Sequence, residues 1–287
     1  MLIDSHAHLN FSAFKEDRNE IIKKCLENNI WMINVGSRYD TSQKAVEIAE
    51  QYERGIYAAV GLHPVHLDTG LVKMRVDTEE IEFKSKEEDF DYEKYKELAS
   101  STGSGQAKSK VVAIGETGFD YYWRPKTAKK KELFKQKQKE IFLKHLGLAK
   151  ELNLPVIFHC RMAHKDLIGT LLENPQFRPE KAVAHSFVGN LDELKQYLNF
   201  GYHIGFNGII FKNIPGINFK EVIEKTPLDK ILIETDCPYL SPPPFQSQRN
   251  NPLYVKYVAE EVSRIKNISF EKVAEITFQN AKELFNI

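Results

Sequence analysis

Short apolar runs alternate with amphipathic stretches along nearly the whole chain. The runs Met1–Ile3, Trp31–Val35, Ile56–Val60, Val111–Ile114, Pro155–Phe158, Lys181–Ala184, Tyr202–Gly205 and Ile231–Ile233 are rich in Val, Ile and aromatic residues. They lack the apolar–polar alternation of a sheet with one wet face. A strand buried on both faces reads as an unbroken apolar run, so these eight predict parallel strands. Helical periodicity fills the gaps at Glu16–Asn28, Thr41–Tyr52, Thr127–Leu152, Lys165–Glu173, Leu191–Leu198, Phe219–Lys225, Pro252–Ile265 and Ser269–Phe285, with Ser269 placed as an N-cap. The repeated βα unit predicts an α/β fold, a (β/α)8 TIM-type barrel. A doubly wound open sheet is the alternative, because periodicity does not reveal closure.

One segment interrupts the rhythm. Asp68–Lys110, between the third and fourth strands, carries 11 acidic and 8 basic residues in 43 positions. It includes Glu79–Phe90, read as an amphipathic or mobile piece, and the Gly/Ser-rich connector SSTGSGQAKSK. Such composition predicts a solvated, partly flexible insertion. The chain is then a single domain, 1–287, of ordinary barrel size plus this insertion.

Composition narrows the class. The 287 residues hold 40 Lys+Arg against 40 Asp+Glu, so the net charge is zero. That argues against a protein holding nucleic acid by bulk positive charge. The neutrality is an average: 68–110 is net acidic by three, and Lys126–Lys150, with nine lysines and two glutamates, is net basic by seven. Cys25, Cys160 and Cys237 are too few for a disulfide framework or a Cys-rich zinc site. The start, MLIDSHAHLN, lacks a signal-peptide pattern, and no apolar run is long enough for a membrane span. A cytoplasmic, reducing location is expected, with no membrane and no obligatory protein partner.

The chemistry gathers at strand ends. His6 and His8 follow the first strand at i and i+2, which places them on one face. The third strand ends in Gly-Leu-His63-Pro64, the fourth in Gly115-Glu116, the fifth in His159-Cys-Arg161, the sixth in His185, and the eighth in Glu234-Thr-Asp236. Active sites of such barrels collect at the C-terminal ends of the strands. His6, His8, Glu116, His159, His185 and Asp236 exceed what one four-coordinate ion needs. They suit two divalent metal ions with Glu116 bridging, and N/O ligation without sulfur fits Mg, Mn or Zn. Two such ions activate water and neutralise the oxygens of a phosphodiester. Asp236, using one oxygen as a ligand, can take the water's proton with the other. Asp120 and Glu234 are read as cap or core residues, and His66, His145, His164 and His203 as structural. Cys160 and Cys237 are turned away by strand alternation.

The stretches DSHAHLNFSAF, VGLHP, AIGETGFDYYW, LPVIFHCRMAH, AHSFVGN, GFNGIIFKN, ILIETDCPYLSPPP and QRNNP occur in order across the chain, the 68–110 segment excepted. Together they resemble the TatD family of metal-dependent deoxyribonucleases, within the amidohydrolase-like barrels. The resemblance implies hydrolysis of DNA phosphodiester bonds, often from the 3′ end of single strands. It implies the same ligand set, with Asp236 catalytic and with His63 and Arg161 touching the substrate phosphate. Phe119 stands where leucine is more usual, and Val188 where a small residue is common.

On the substrate side, Arg161 lies at i+2 from His159 and either reaches a phosphate or forms a salt bridge behind the site or at a helix end, and His63 either donates to a phosphate oxygen or holds the Pro64 turn. The lysines of 126–150 read as a solvated helix face or a nucleic-acid surface. Tyr121, Tyr122 and Trp123 either pack over the barrel mouth or stack on unpaired bases. A deacylase or esterase acting on aminoacyl-tRNA, or a small-molecule amidohydrolase, is the competing activity for this metal set. Two-metal amidohydrolases often place a carboxylated Lys on strand four; Glu116 stands there instead. A non-catalytic barrel predicts a broken ligand set, and the set is intact.

Overall fold

The computed structural model describes residues 1–67, 88–101 and 109–287. Eight parallel strands pair in sequence order: β1 (Leu2–Ala7), β2 (Ile30–Val35), β3 (Ile56–Val60), β4 (Val111–Asp120), β5 (Val156–Arg161), β6 (Ala182–Ala184), β7 (His203–Phe206) and β8 (Ile231–Ile233). A doubly wound sheet would reverse direction at a switch point, and this order never does. β8 returns beside β1, where Asp236 N donates to the His6 carbonyl at 2.8 Å and His8 N to the Cys237 carbonyl at 3.1 Å. The result is a nearly closed (β/α)8 barrel. Around it lie α1 (Arg18–Glu27), α2 (Tyr39–Ala49), α3 (Tyr92–Ser100), α4 (Ala128–Leu152), α5 (His164–Glu173), α6 (Leu191–Asn199), α7 (Phe219–Lys225), α8 (Val255–Lys266) and α9 (Phe270–Phe285). No helix among the described residues is long and apolar enough to cross a membrane.

The unbroken apolar strands serve two cores, as burial on both faces requires. Ile3, Ile33, Ala59, Val112, Ile157, Val183 and Leu232 fill the barrel interior with Leu284 and Phe285 of α9. Their neighbours Leu2, Met32, Ala58, Val111, Phe158 and Ile204 face the helices. Ser269 caps α9 as expected, its side chain accepting from Lys272 N. α4 is capped by Thr127 and ends in Asn153 with left-handed φ of 52°.

The segment between β3 and β4 departs from the expected solvated insertion. It contains α3, the barrel's own third helix, with Asp91 as N-cap. Tyr95 and Ala99, four residues apart, are its buried stripe. Two fully buried positions among four charged ones hide a helical period. Glu88 fastens the returning chain: its amide donates to the His66 carbonyl, and its carboxylate accepts from Tyr95 Oη and Tyr39 N. Most of the Glu79–Phe90 piece and of the Gly/Ser-rich connector lies outside the described residues. β4 is also longer than the apolar run, continuing from Ile114 through Asp120.

Candidate metal centre

All six side chains expected as ligands meet at the C-terminal mouth of the barrel. β1 delivers His6 and, one residue beyond its end, His8, with Nε2 atoms 3.2 Å apart. His8 Nδ1 donates to the Val35 carbonyl at 2.7 Å, so its Nε2 presents a lone pair to the mouth. Asp236 Oδ1 lies 3.3 Å from that nitrogen and 3.8 Å from His6 Nε2. A lone pair facing a carboxylate oxygen is repulsive unless a cation or proton lies between them.

Glu116 divides the site. Its Oε1 is 3.7 Å from both His6 Nε2 and His8 Nε2. Its Oε2 is 3.0 Å from His185 Nε2, 3.3 Å from His159 Nδ1 and 3.8 Å from His63 Nε2. Among the described residues, three sets have ligand-type atoms within 4.8 Å of one another: His6, His8 and Glu116; His6, His185 and Asp236; and His63, Glu116 and His159.

A second ring of groups orients the imidazoles. His159 turns Nε2 to Asp120 Oδ2 at 3.2 Å, which leaves Nδ1 for the mouth. His185 Nδ1 lies 3.4 Å from Glu234 Oε1, which also accepts from Ser186 N and Asn207 Nδ2. Asp4 is fully buried and accepts from Thr235 N and Oγ1 at 2.9 and 2.5 Å, tying the residue before Asp236 to β1. Two glycines make room for this ring. A Cβ on Gly118, whose φ is +148°, would sit 2.0 Å from the His159 carbonyl oxygen. A Cβ on Gly205 would meet Glu234 Oε2 at 2.4 Å.

The electrostatics follow from burial and these pairings. Burial pushes the Glu116 carboxyl up, but His63, His6, His159 and His185 outweigh it and hold it well below the usual range. Asp236 is likewise lowered, burial being overcome by His8, His185 and His6. Burial, with His185 beside it, lowers His6; burial, with His159 beside it, lowers His63 further. His185 is raised well above its ordinary value despite burial, by Glu116 and Glu234. His159 is raised despite burial by Asp120 and Glu116. The carboxylates thus favour positive charge at the centre, whether proton or metal ion.

His63 joins the same cluster. Its Nδ1 accepts from Val65 N at 3.0 Å, so the ring proton sits on Nε2, facing Glu116. That tautomer suits donation to an oxygen rather than ligation. Arg161 lies on the rim instead: exposed, with its guanidinium 3.8 Å from the Tyr122 ring centroid. Glu234 is the buried, hydrogen-bonded residue expected, and both it and Asp120 also face a histidine of the cluster, which the sequence reading did not assign. Asp120 does not cap the next helix, which Thr127 caps; its Oδ1 instead accepts from Tyr122 N in the turn after β4. His145, expected far from any strand end, accepts from Leu62 N at the exit of β3. Tyr121 is buried and bonded to Asp166, whereas Tyr122 is exposed. Cys160 and Cys237 are buried, and burial pushes both thiols up, away from thiolate chemistry.

A family model described as TatD related DNase matches residues 3–286. The chain belongs to the TatD family. Among TatD-family relatives, it is 38% identical to the "Uncharacterized metal-dependent hydrolase YabD" of Bacillus subtilis, with 100% of each chain covered. It is 30% identical to the "3'-5' ssDNA/RNA exonuclease TatD" of Pantoea vagans, again over 100% of each. The solved structure of the TatD homologue YjjV from Escherichia coli superposes with a TM-score of 0.79 at 27% identity, covering 100% of this chain and 98% of that one. The protein is a metal-dependent hydrolase of the TatD family, built on a TIM barrel.

Proposed function

We propose that this hydrolase cleaves phosphodiester bonds in DNA, as a 3′-to-5′ exonuclease on single strands or ends. The observation that carries the reading is the division of Glu116, whose two oxygens face two separate groups of histidines. His6, His8 and Asp236 would hold one divalent ion, His159 and His185 a second, and Glu116 both. The nitrogen and oxygen donor set, with no buried cationic side chain within it, fits Mg, Mn or Zn. When bound, such a pair supplies Lewis-acid polarisation of a phosphoryl oxygen and acidifies water.

The chain's own groups do the rest. Asp236 accepts the proton of the attacking water; its side chain is 16% exposed against 6% for Glu116, so water reaches it more readily. His63 donates its Nε2 proton to a non-bridging phosphate oxygen. Arg161 holds the phosphate from the rim, with five N–H donors on a planar fork. Asp120 and Glu234 keep His159 and His185 turned to the centre. The DNA is a transient substrate, and the three buried, unpaired cysteines accord with work in a reducing cytoplasm.

The test is chelator-stripped protein, reloaded with Mg2+, Mn2+ or Zn2+, acting on single-stranded DNA labelled at either end. Stepwise loss from the 3′ end is expected, together with two metal ions per chain by elemental analysis. DNA left whole under every metal while a D-aminoacyl-tRNA or a small amide is hydrolysed would overturn the reading.

A further inference from the structure

The rim beside the cluster carries an arginine set on an aromatic face. β4 and β5 run together with Asp120 registered against Arg161, and Tyr121 N donates to the Arg161 carbonyl at 2.9 Å. One residue further on, Tyr122 is 50% exposed, and Arg161 covers its ring. Trp123 meets Tyr122 edge-on, with centroids 5.0 Å apart. Arg161 makes no ion pair among the described residues. A guanidinium held on one face by an aromatic ring keeps its other face and its N–H donors free. Asp120 joins this ledge to the centre: Oδ1 accepts from Tyr122 N and Trp123 N, and Oδ2 faces His159.

A separate observation comes from the lysines of α4. In its later turns they are paired: Lys135 with Asp166, Lys139 with Glu173 and Lys144 with Glu140, at 2.8, 2.6 and 2.8 Å. The basic residues leading into the helix are not. Arg124, Lys126 and the run 129–131 make no ion pair among the described residues, and the first turn holds no acid. Five unbalanced positive charges therefore adjoin the Tyr122 ledge. In a molecule of zero net charge, a run of positive charge with no acid in its first turn complements a polyanion.

We propose that the Tyr122–Arg161 ledge and the basic run 124–131 form one track for a single-stranded polynucleotide leading into the metal centre. This inference rests on the nuclease reading for what happens at the end of the track. An unpaired base stacks on the open face of Arg161, and successive phosphates pass along the lysines. Duplex bases, stacked on one another, have no free face to offer, so the ledge selects unpaired strands.

The test is fluorescence anisotropy of the full-length chain, held in EDTA, with a labelled oligothymidylate about fifteen nucleotides long. Tyr122→Ala is expected to weaken binding about tenfold at an unchanged salt slope, because it removes the ring that holds Arg161 flat for the base and removes no charge. Lys129→Ala/Lys130→Ala/Lys131→Ala is expected to lower the slope of log K against log salt by about two. Lys139→Ala/Lys144→Ala, on the paired face of the same helix, leaves both quantities as they are. An oligonucleotide that the wild type does not bind, or that binds Tyr122→Ala as tightly, overturns the track. An equal slope in all proteins does the same. Binding as predicted without metal-dependent cleavage would instead overturn the nuclease reading and leave the track standing.

Discussion

The same eight strands carry two different interiors. Toward their N-terminal ends, Ile3, Ile33, Val112, Ile157, Val183 and Leu232 close on α9 as an apolar plug. Toward their C-terminal ends, His6, His8, Glu116 and His185 are buried almost as fully, yet each is ionisable. Burial of apolar surface stabilises the first end at roughly 25 cal/mol per Å2. Burial of charge-bearing groups works against stability at the second, and is offset only by pairing among them. One end holds the fold and the other spends part of that stability on a site. Substitutions at the two ends should therefore separate activity from stability.

The largest effect is expected at the polar end. Glu116→Gln keeps size and removes the charge shared by both histidine groups. We expect kcat/KM to fall on the order of a thousandfold, several kcal/mol of barrier, with fewer metal ions bound per chain. The urea midpoint should stay the same or rise, since a buried charge is gone. Full metal content in this variant would break the division at Glu116. At the apolar end, Leu232→Ala should lower unfolding free energy by about 2–5 kcal/mol. Its folded fraction should keep kcat/KM within about twofold, the shift in barrier being under 0.5 kcal/mol. A large loss of turnover there would show that the two ends are not independent.

The sequence exposes these two ends unequally. The apolar end is legible because burial on both strand faces writes an unbroken run of Val, Ile and Leu. The candidate ligands are legible because His, Glu and Asp directly after such runs have few other reasons to be there. Asp120 and Glu234 escape, because a carboxylate at a strand end reads equally well as a cap or core residue, and Asp120 does hold the turn after β4 as well as facing His159. α3 escapes because only Tyr95 and Ala99 are fully buried, with Tyr92 and Leu98 half-buried beside them, among charged residues that mask the period. The stacking of Arg161 on Tyr122 escapes for a different reason: it depends on the register of β4 against β5, which no local pattern carries.

The contrast extends to histidines that are buried but lie outside the cluster. His145 accepts from Leu62 N, its Nδ1 lies 2.8 Å from the Ile141 carbonyl, and burial pushes it down to about 4. The folded state thus favours neutral imidazole, whereas the unfolded chain takes a proton near its ordinary value. Stability is fully present above about pH 6.5 and is lost as pH falls from there toward 4, by roughly 3 kcal/mol for this residue. His66, lowered to about 3, adds to the same acid side. Urea unfolding of wild type and His145→Gln at pH 7, 5.5 and 4 isolates the share of His145, because only that residue differs. The variant's curve should be flatter by about 3 kcal/mol over the range. Parallel curves would mean that His145 titrates alike in both states.

The smallest expected effect tests the finest division, between the two sides of Glu116. Asp120 reaches only one of them, through His159 Nε2 at 3.2 Å. Its negative charge raises the basicity of the ring and fixes Nδ1 as the nitrogen facing Glu116 Oε2. In Asp120→Asn the amide oxygen can still accept from Tyr122 N, so the loop and its aromatic ledge should keep their places. What disappears is the charge behind His159. Outer carboxylates of this kind are worth about 10- to 100-fold in metal affinity. Chelator competition with Zn2+ or Mn2+ should therefore find one site weakened by that factor and the other, proposed for His6, His8 and Asp236, unchanged. Equal weakening of both would show that the ions share one electrostatic environment. No weakening at all would leave Asp120 as a cap for the Tyr122 turn and nothing more.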